Sequence, residues 1–401
     1  MKFLRLAFYV LIAQLVLSGC AGEAVEETSS SSSSEINFDA YVNRNASSRS
    51  GVTDNTFLQG GTFNAGFGVF ARYKHTDETI SPLMLMNNEH VYWKNWKGDY
   101  SDWGYENTRY WPNEGSVDFY AFAPHSTEPK LVSPKDNGKY AIEEPNSTYI
   151  YFPSNMSPVD LVWANAKGRT KTNERVKFTF SHALARIGFF FFSQNFNYWG
   201  FSSHALPLFG FNTPANNLTD GESITVQEVK LYCVSNNEHI GVFVMAGYLN
   251  LENGDWILDD NGTRWYYSWK PTGNDGEGPD VGKGPELKLD GDKLSNPNDI
   301  INNSPHSYIF IIPQEKREPF YLEITYTVER PGQSSQKVTV KKNLLDVLRK
   351  PGTNYCMFEE GKAYDFHLKL SPNPIHSRVT TNAKNWDVDV VNNVPCNQIG
   401  R

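Results

Sequence analysis

Apolar and polar residues alternate along most of this chain. A period of two recurs in Ile36, Phe38, Ala40 and Val42, in Phe67, Val69, Ala71 and Tyr73, and in Val117, Phe119, Ala121 and Ala123. It continues in Val176, Phe178 and Phe180, in Ile187, Phe189 and Phe191, from Phe320 to Val328, and from Tyr364 to Leu370. Successive side chains of a strand point to opposite faces, so the pattern predicts half-buried β-strands. Turn signals separate them: Asp136-Asn137-Gly138, Asp260-Asn261-Gly262 and Arg330-Pro331-Gly332-Gln333. Helical spacing is confined to residues 343 to 348. Many short strands without a strand–helix rhythm predict an all-β chain built of sandwiches, not a doubly wound sheet.

The first residues break this pattern. Lys2 and Arg5 lead into an apolar stretch from Leu6 to Leu17, which ends at Leu17-Ser18-Gly19-Cys20. A stretch this short reads as a secretory signal over residues 1–19, not as a membrane span, which takes about 20 apolar residues. Leu-Ser-Gly-Cys resembles the bacterial lipobox, which implies lipid attachment at Cys20. The acyl chains would then anchor the protein in a membrane, because two or more chains hold where one is marginal. Residues 20–35, with the serine run Ser29 to Ser34, read as a flexible tether. Glu23, Glu26 and Glu27 just behind Cys20 look like the acidic export signal of surface lipoproteins; they could equally be solubilising.

The 401 residues leave roughly 365 beyond signal and tether, enough for two domains, since single cores stop growing near about 250 to 300 residues. The polar run Lys167 to Glu174 suggests a boundary near residue 173, with a first sandwich over 36–172, a second over 173–391 and a tail over 392–401. Lys270 to Asn303, rich in Gly, Pro, Asp and Asn, reads as a long surface excursion of the second sandwich. A net charge of −8 without a basic patch argues against nucleic acid as a partner. Cys233, Cys356 and Cys396 form no Cys-x-x-Cys pair, and no His spacing suits zinc, so the chain is expected to carry no metal and no cofactor. Cys233 shares the phase of Val229 and Leu231 and is expected in the core, whereas Cys396 is either a reactive thiol or incidental. His182, flanked by Phe180 and Ala183, reads as a buried, hydrogen-bonded histidine. Nucleophile elbow, phosphate loop and His-Glu-x-x-His are all missing, and the chain is read as non-enzymatic.

Several blocks occur in a telling order. Tyr110-Trp111-Pro112-Asn113-Glu114-Gly115 runs into Val117-Asp118-Phe119-Tyr120-Ala121-Phe122-Ala123-Pro124; Asp160-Leu161-Val162-Trp163-Ala164 and Val176-Lys177-Phe178-Thr179-Phe180-Ser181-His182-Ala183-Leu184 follow. The series ends with Gly361-Lys362-Ala363-Tyr364-Asp365-Phe366-His367-Leu368 and Trp386. Behind a lipoprotein signal, this succession resembles the fimbrillin family, the subunits of type V pili in Bacteroidales. The resemblance implies two tandem Greek-key (transthyretin-like) β-sandwiches, surface exposure on the cell outer membrane, and other fimbrillin-type subunits as partners, with a host or bacterial surface ligand for adhesion.

The family also implies a mode of assembly. An N-terminal strand is cut away after an arginine, and a C-terminal strand of a neighbouring subunit takes its place. Here Ile36 to Val42 would be the strand removed. Arg49 is the first choice for the cut and Arg44 the second, and an uncut loop in an anchor subunit is the alternative. Residues from about 376 to 394 would supply the inserted strand, with Trp386, Val388 and Val390 on one face as the donor residues. Residues 92–105, with Tyr92, Trp93, Trp96, Tyr100, Trp103 and Tyr105, cover a core or, in a second reading, bind a glycan for a nutrient-uptake system.

Overall fold

A computed structural model describes residues 34–42, 53–61, 65–95, 101–152, 160–193, 223–235, 238–259, 264–265, 267–269, 287–290, 293–294, 309–349, 351–370 and 378–385. The chain is all-β, as its periodicity predicts. The first half supplies β1 (Phe38–Val42), β2 (Phe67–Lys74), β3 (Leu83–Asn95), β4 (Ser101–Gly104), β5 (Ser116–Ala123), β6 (Leu131–Lys135), β7 (Tyr140–Glu143), β8 (Tyr149–Phe152), β9 (Val162–Arg169) and β10 (Val176–His182). From β11 (Ala185–Ser193) the chain passes to β12 (Ser223–Ser235), β13 (Glu238–Ile240), β14 (Phe243–Val244), β15 (Gly247–Asn250) and β16 (Trp256–Leu258). Then come β17 (Arg264–Trp265), β18 (Tyr267–Trp269), β19 (Leu287–Asp290), β20 (Lys293–Leu294), β21 (Ile309–Ile311) and β22 (Gln314–Lys316). The last strands are β23 (Phe320–Glu329), β24 (Gln336–Asn343), β25 (Cys356–Phe358), β26 (Lys362–Leu370) and β27 (Arg378–Asn385). Two short helices interrupt them: α1 (Asn55–Leu58), capped by Asp54, and α2 (Leu344–Leu348), capped by Asn343 where helical spacing predicts it.

One seven-stranded sheet runs in the order β1-β10-β9-β5-β2-β3-β4. Its inward face packs Phe38, Phe67, Val69, Val117, Phe119, Phe178 and Phe180 with Trp103, Tyr105 and Trp111 into one buried cluster. The sheet curls until its two edges meet. Arg175, beside β10, bonds both Phe38 O of β1 and the carboxylate of Asp102 on β4. Gly115 makes the entry to β5 possible: at φ +76 its backbone lies so near β2 that a Cβ would stand 2.3 Å from Lys74 O.

A second core lies between the sheet β21-β11-β26-β27 and the sheet β20-β19-β12-β23-β24. Ile187, Tyr364, Phe366 and Leu370 meet Leu231, Cys233, Phe320, Leu322 and Ile324 there, so Cys233 is a core thiol as its phase predicts. Within the expected excursion, Leu287–Asp290 and Lys293–Leu294 form a hairpin whose first strand pairs with β12. The alternating Leu287 and Leu289 carry a strand signal in an otherwise turn-rich composition.

The chain leaves the first sheet between His182 and Ala185, since β10 pairs with β1 and β9 while β11 pairs with β21 and β26. The strand just after residue 173 therefore stays with the strands before it. A five-stranded sheet, β16-β15-β8-β6-β7, joins the halves by pairing β8 with β15. Beneath it a third cluster gathers Phe70, Phe122, Leu161, Leu184, Leu249 and Ile312 from both.

At this joint Trp163 of β9 donates its indole N–H to Glu360 at 2.7 Å, and Trp256 donates to Ala183 O at 2.8 Å. Gly254, at φ +85, sits where a Cβ would come within 2.5 Å of the Trp163 ring and 2.7 Å of the Glu360 carboxyl. Burial pushes the Glu360 carboxyl up to about 7, the Trp163 hydrogen bond opposes this, and Asp255 adds to it. A raised carboxyl pKa means that the folded chain holds this proton more tightly than the unfolded one. Its stabilising contribution is complete below about pH 4.5 and is lost as pH rises through about 7. Thermal unfolding from pH 5 to 8 is expected to show Glu360→Gln gaining on the wild type as pH rises; two parallel profiles would contradict this.

Candidate functional site

The strand β1 carries the N-terminal end of the described chain into the first core. It lies at an edge of the first sheet and pairs with β10 in parallel, with Phe38 opposite Val176 and Val42 opposite Phe180. Ile36, Phe38 and Val42 are fully or almost fully buried, while Asp39 and Tyr41 face outward, so the alternation read in the sequence sets the inward row. The Phe38 ring meets Phe67, Tyr105, Phe119 and Phe178 at centroid distances of 6.3, 5.6, 5.9 and 5.7 Å. Burying such side chains contributes about 1.5–3 kcal/mol each. Three of them approach the scale of a whole domain's net stability, about 5–15 kcal/mol.

The outer edge of β1 is held by side chains. Arg175 Nη1 donates to Phe38 O at 3.0 Å and Asn55 Oδ1 accepts from Val42 N at 2.8 Å. Just upstream, Ile36 N donates to Arg109 O at 2.8 Å and Trp111 N to Ser34 O at 3.0 Å, so the Tyr110-Trp111-Pro112 block is a seat for the N-terminal segment. Tyr105 donates its hydroxyl to Ile36 O at 2.7 Å, and burial pushes its phenol up to about 12, which keeps that donor protonated. The segment 34–42 is thus an apolar plug fixed in a slot between residues 109–111 and β10.

Downstream of the plug the chain is tied again. Thr53 N donates to Asp160 Oδ2 at 2.7 Å, the Thr53 hydroxyl donates to Asp160 O at 2.5 Å, and Asp160 Oδ1 lies 2.9 Å from His182 Nδ1. All three residues are at most 2% exposed. His182 is therefore buried and hydrogen-bonded, as read from its neighbours in sequence. Asp160 is its unforeseen partner, and the Asp-Leu-Val-Trp-Ala block that opens with it was the available signal.

Cys20, Arg44, Arg49, Trp386, Val388, Val390 and Cys396 lie outside the described residues. The described ends nevertheless frame them: β1 ends at Val42 and the description resumes at Thr53, while β27 ends at Asn385, one residue before Trp386. β27 pairs antiparallel with β26 at the edge of its own sheet, so residues 378–385, expected within the donor strand, finish the second half in cis instead, because their backbone groups are already taken up by the β26 ladder. In the aromatic stretch, Trp103 and Tyr105 belong to the first core and Trp93 packs edge-on against Trp103 at 5.1 Å. Among the described residues no cluster of three or more His, Cys, Asp or Glu could hold a metal ion. None of the described helices is long and apolar enough to cross a membrane.

A family model described as fimbrillin-like matches residues 52–386. The chain is 28% identical to the fimbrium subunit Fim1C of Phocaeicola vulgatus over 194 residues, which are 44% of this chain and 48% of that relative. The match thus spans about half the length of that curated relative. The crystal structure of a fimbrial protein from Bacteroides vulgatus shares the fold, with a TM-score of 0.54, 20% identity, and coverage of 88% of this chain and 99% of that one.

The plug has a direct energetic test. Phe38→Ala is expected to lower the stability of the intact chain by about 3–5 kcal/mol, the usual cost of truncating a buried Phe. Asp39→Ala, on the outward face of the same strand, should change it by less than about 0.5 kcal/mol. Equilibrium denaturation in urea reads both, and equal effects would show that β1 is not seated by its inward row.

Proposed function

The chain belongs to the fimbrillin-like family, and from that premise we propose that it is a non-enzymatic structural or adhesive subunit of a surface fimbrium, assembled by donor-strand exchange at the seat of β1. The observation that carries this reading is the edge position of β1, with its inward apolar row and a connection of ten residues, 43–52, between Val42 and Thr53. A cut after Arg49, or after Arg44, falls within that connection. It would turn an internal strand into a separate piece held only by non-covalent contacts. Loss of the piece uncovers the edge of β10 and an apolar slot, a state relieved by adding a strand from another chain.

The donor is the tail after β27. The sequence of β27, Arg-Val-Thr-Thr-Asn-Ala-Lys-Asn, has a single large apolar residue, Val379, and matches the slot poorly. Trp386, Val388 and Val390 repeat the inward spacing of Ile36, Phe38 and Ala40 and are the residues assigned to it. The two sandwich units, divided where the chain leaves the first sheet, then act as acceptor and donor ends of one subunit. Lipidation at Cys20 and the tether over 20–35 would hold the precursor at the outer membrane surface until the cut frees it. Other fimbrillin-type subunits are the partners.

N-terminal analysis of surface material is expected to find chains beginning just after Arg49 or Arg44, and chains that all begin at Cys20 would exclude this route of polymerisation. Deletion of residues 386–401, which leaves β27 in place, should give a folded, secreted monomer that no longer enters heat-resistant polymers; unchanged polymers would remove the tail from the donor role. Incorporation of a palmitate analogue should vanish in Cys20→Ala, and persistent labelling would place the lipid elsewhere.

A further inference from the structure

A strand that must leave without unravelling its own subunit needs a fixed point behind it. Thr53 is the first described residue after β1, and both its amide and its hydroxyl are bonded to Asp160 inside the protein. Asp160 in turn is bonded to His182, the last residue of β10, which is the strand that β1 covers. Next to this pair Ala183 N donates to Leu161 O at 2.8 Å. Asp54, the residue after Thr53, caps α1 by accepting from Phe57 N at 2.8 Å, and Leu58 of α1 is buried in the first core. A carboxylate that accepts a backbone N–H inside a protein holds it by a charge-assisted bond, about twice as strong as a neutral one.

We propose that Asp160 is a positioning residue for strand exchange: it clamps Thr53 so that the chain comes loose up to residue 52 and no further, and it holds the exposed strand β10 in place through His182 while the slot is empty. The clamp rests on the reading that β1 is excised, and it adds what that reading leaves open, namely where the new N-terminus becomes fixed. Asn55 belongs to both sides of this division, because its side chain accepts from Val42 N while its backbone starts α1. Release of β1 breaks the side-chain bond and leaves the Asp160 clamp untouched.

The test uses the mature full-length chain with residues 44–50 replaced by the recognition sequence of a site-specific endoprotease, so that the cut does not depend on the natural arginines. After the cut, an aminopeptidase is added and the start of the folded remainder is read by mass spectrometry. Hydrogen exchange of the Thr53 amide is followed in parallel. Trimming should stall at or just before Thr53 in the wild type and run into α1 in Asp160→Asn. Exchange at Thr53 should be faster in Asp160→Asn by about 10- to 100-fold, the factor equivalent to one hydrogen bond to a charged group, while amides of β23 keep their protection. Should Asp160→Asn fail to fold, Thr53→Val, which loses only the hydroxyl bond, carries the same comparison with a smaller rise. Trimming of the wild type past Leu58, or an identical stall in the variants, would overturn the clamp. Failure of the natural chain to be cut at Arg44 or Arg49 would instead overturn strand excision and leave the clamp measurement intact.

Discussion

The first core of this protein is closed from an edge. Ile36, Phe38 and Val42 complete an aromatic cluster drawn from most strands of one curled sheet, yet β1, which carries Phe38 and Val42 just after Ile36, has a ladder on one side only. An edge strand normally contributes little to a core and is easily blunted. Here the edge contributes the ring around which Phe67, Phe119 and Phe178 are arranged, so the core would be left open without β1. Parallel pairing adds to the separability of β1, because no tight hairpin ties a strand to a parallel neighbour. Covalent attachment runs instead through residues 43–52 on one side and the residues before Ser34 on the other.

The second half answers a different demand. Its two facing sheets enclose a core of their own, and the pairing of β8 with β15 welds that core to the first. In the proposed assembly each subunit would have to transmit load from the strand it accepts to the strand it gives. The joint of Trp163, Glu360 and Gly254, with Phe122, Leu161 and Leu184 beneath, is built from both halves and lies between the β1 slot and the β26–β27 edge. Buried Asp160 and His182 stand at the same crossing, where the chain changes sheets.

Much of this was legible in the sequence because a period of two reports directly on facing. The strands around Phe67, Val117, Val176, Phe320 and Tyr364 lie where the alternation puts them, and α2 lies where the helical spacing of residues 343 to 348 puts it. Pairing partners were not legible. Nothing local says that β1 sits beside β10 in parallel, or that Tyr149–Phe152 crosses to Gly247–Asn250, because register and neighbour choice are set by long-range packing. The same holds for Asp160 and His182, which are 22 residues apart and meet only in the fold. Trp111 and Tyr105, which bond the backbone of Ser34 and Ile36, emerged from the fold alone.

The proposed exchange at the position of β1 has a direct test. Purified mature chain, untreated or cut with an arginine-specific protease, is mixed with a fluorescent peptide spanning residues 384–394, and bound peptide and released N-terminal fragment are quantified together. The account predicts uptake of one peptide per cut chain, matched by an equal amount of released fragment, competed by a peptide of residues 34–42 and nearly absent in the uncut chain. Equal binding to cut and uncut chains, or uptake without release of the fragment, would contradict it.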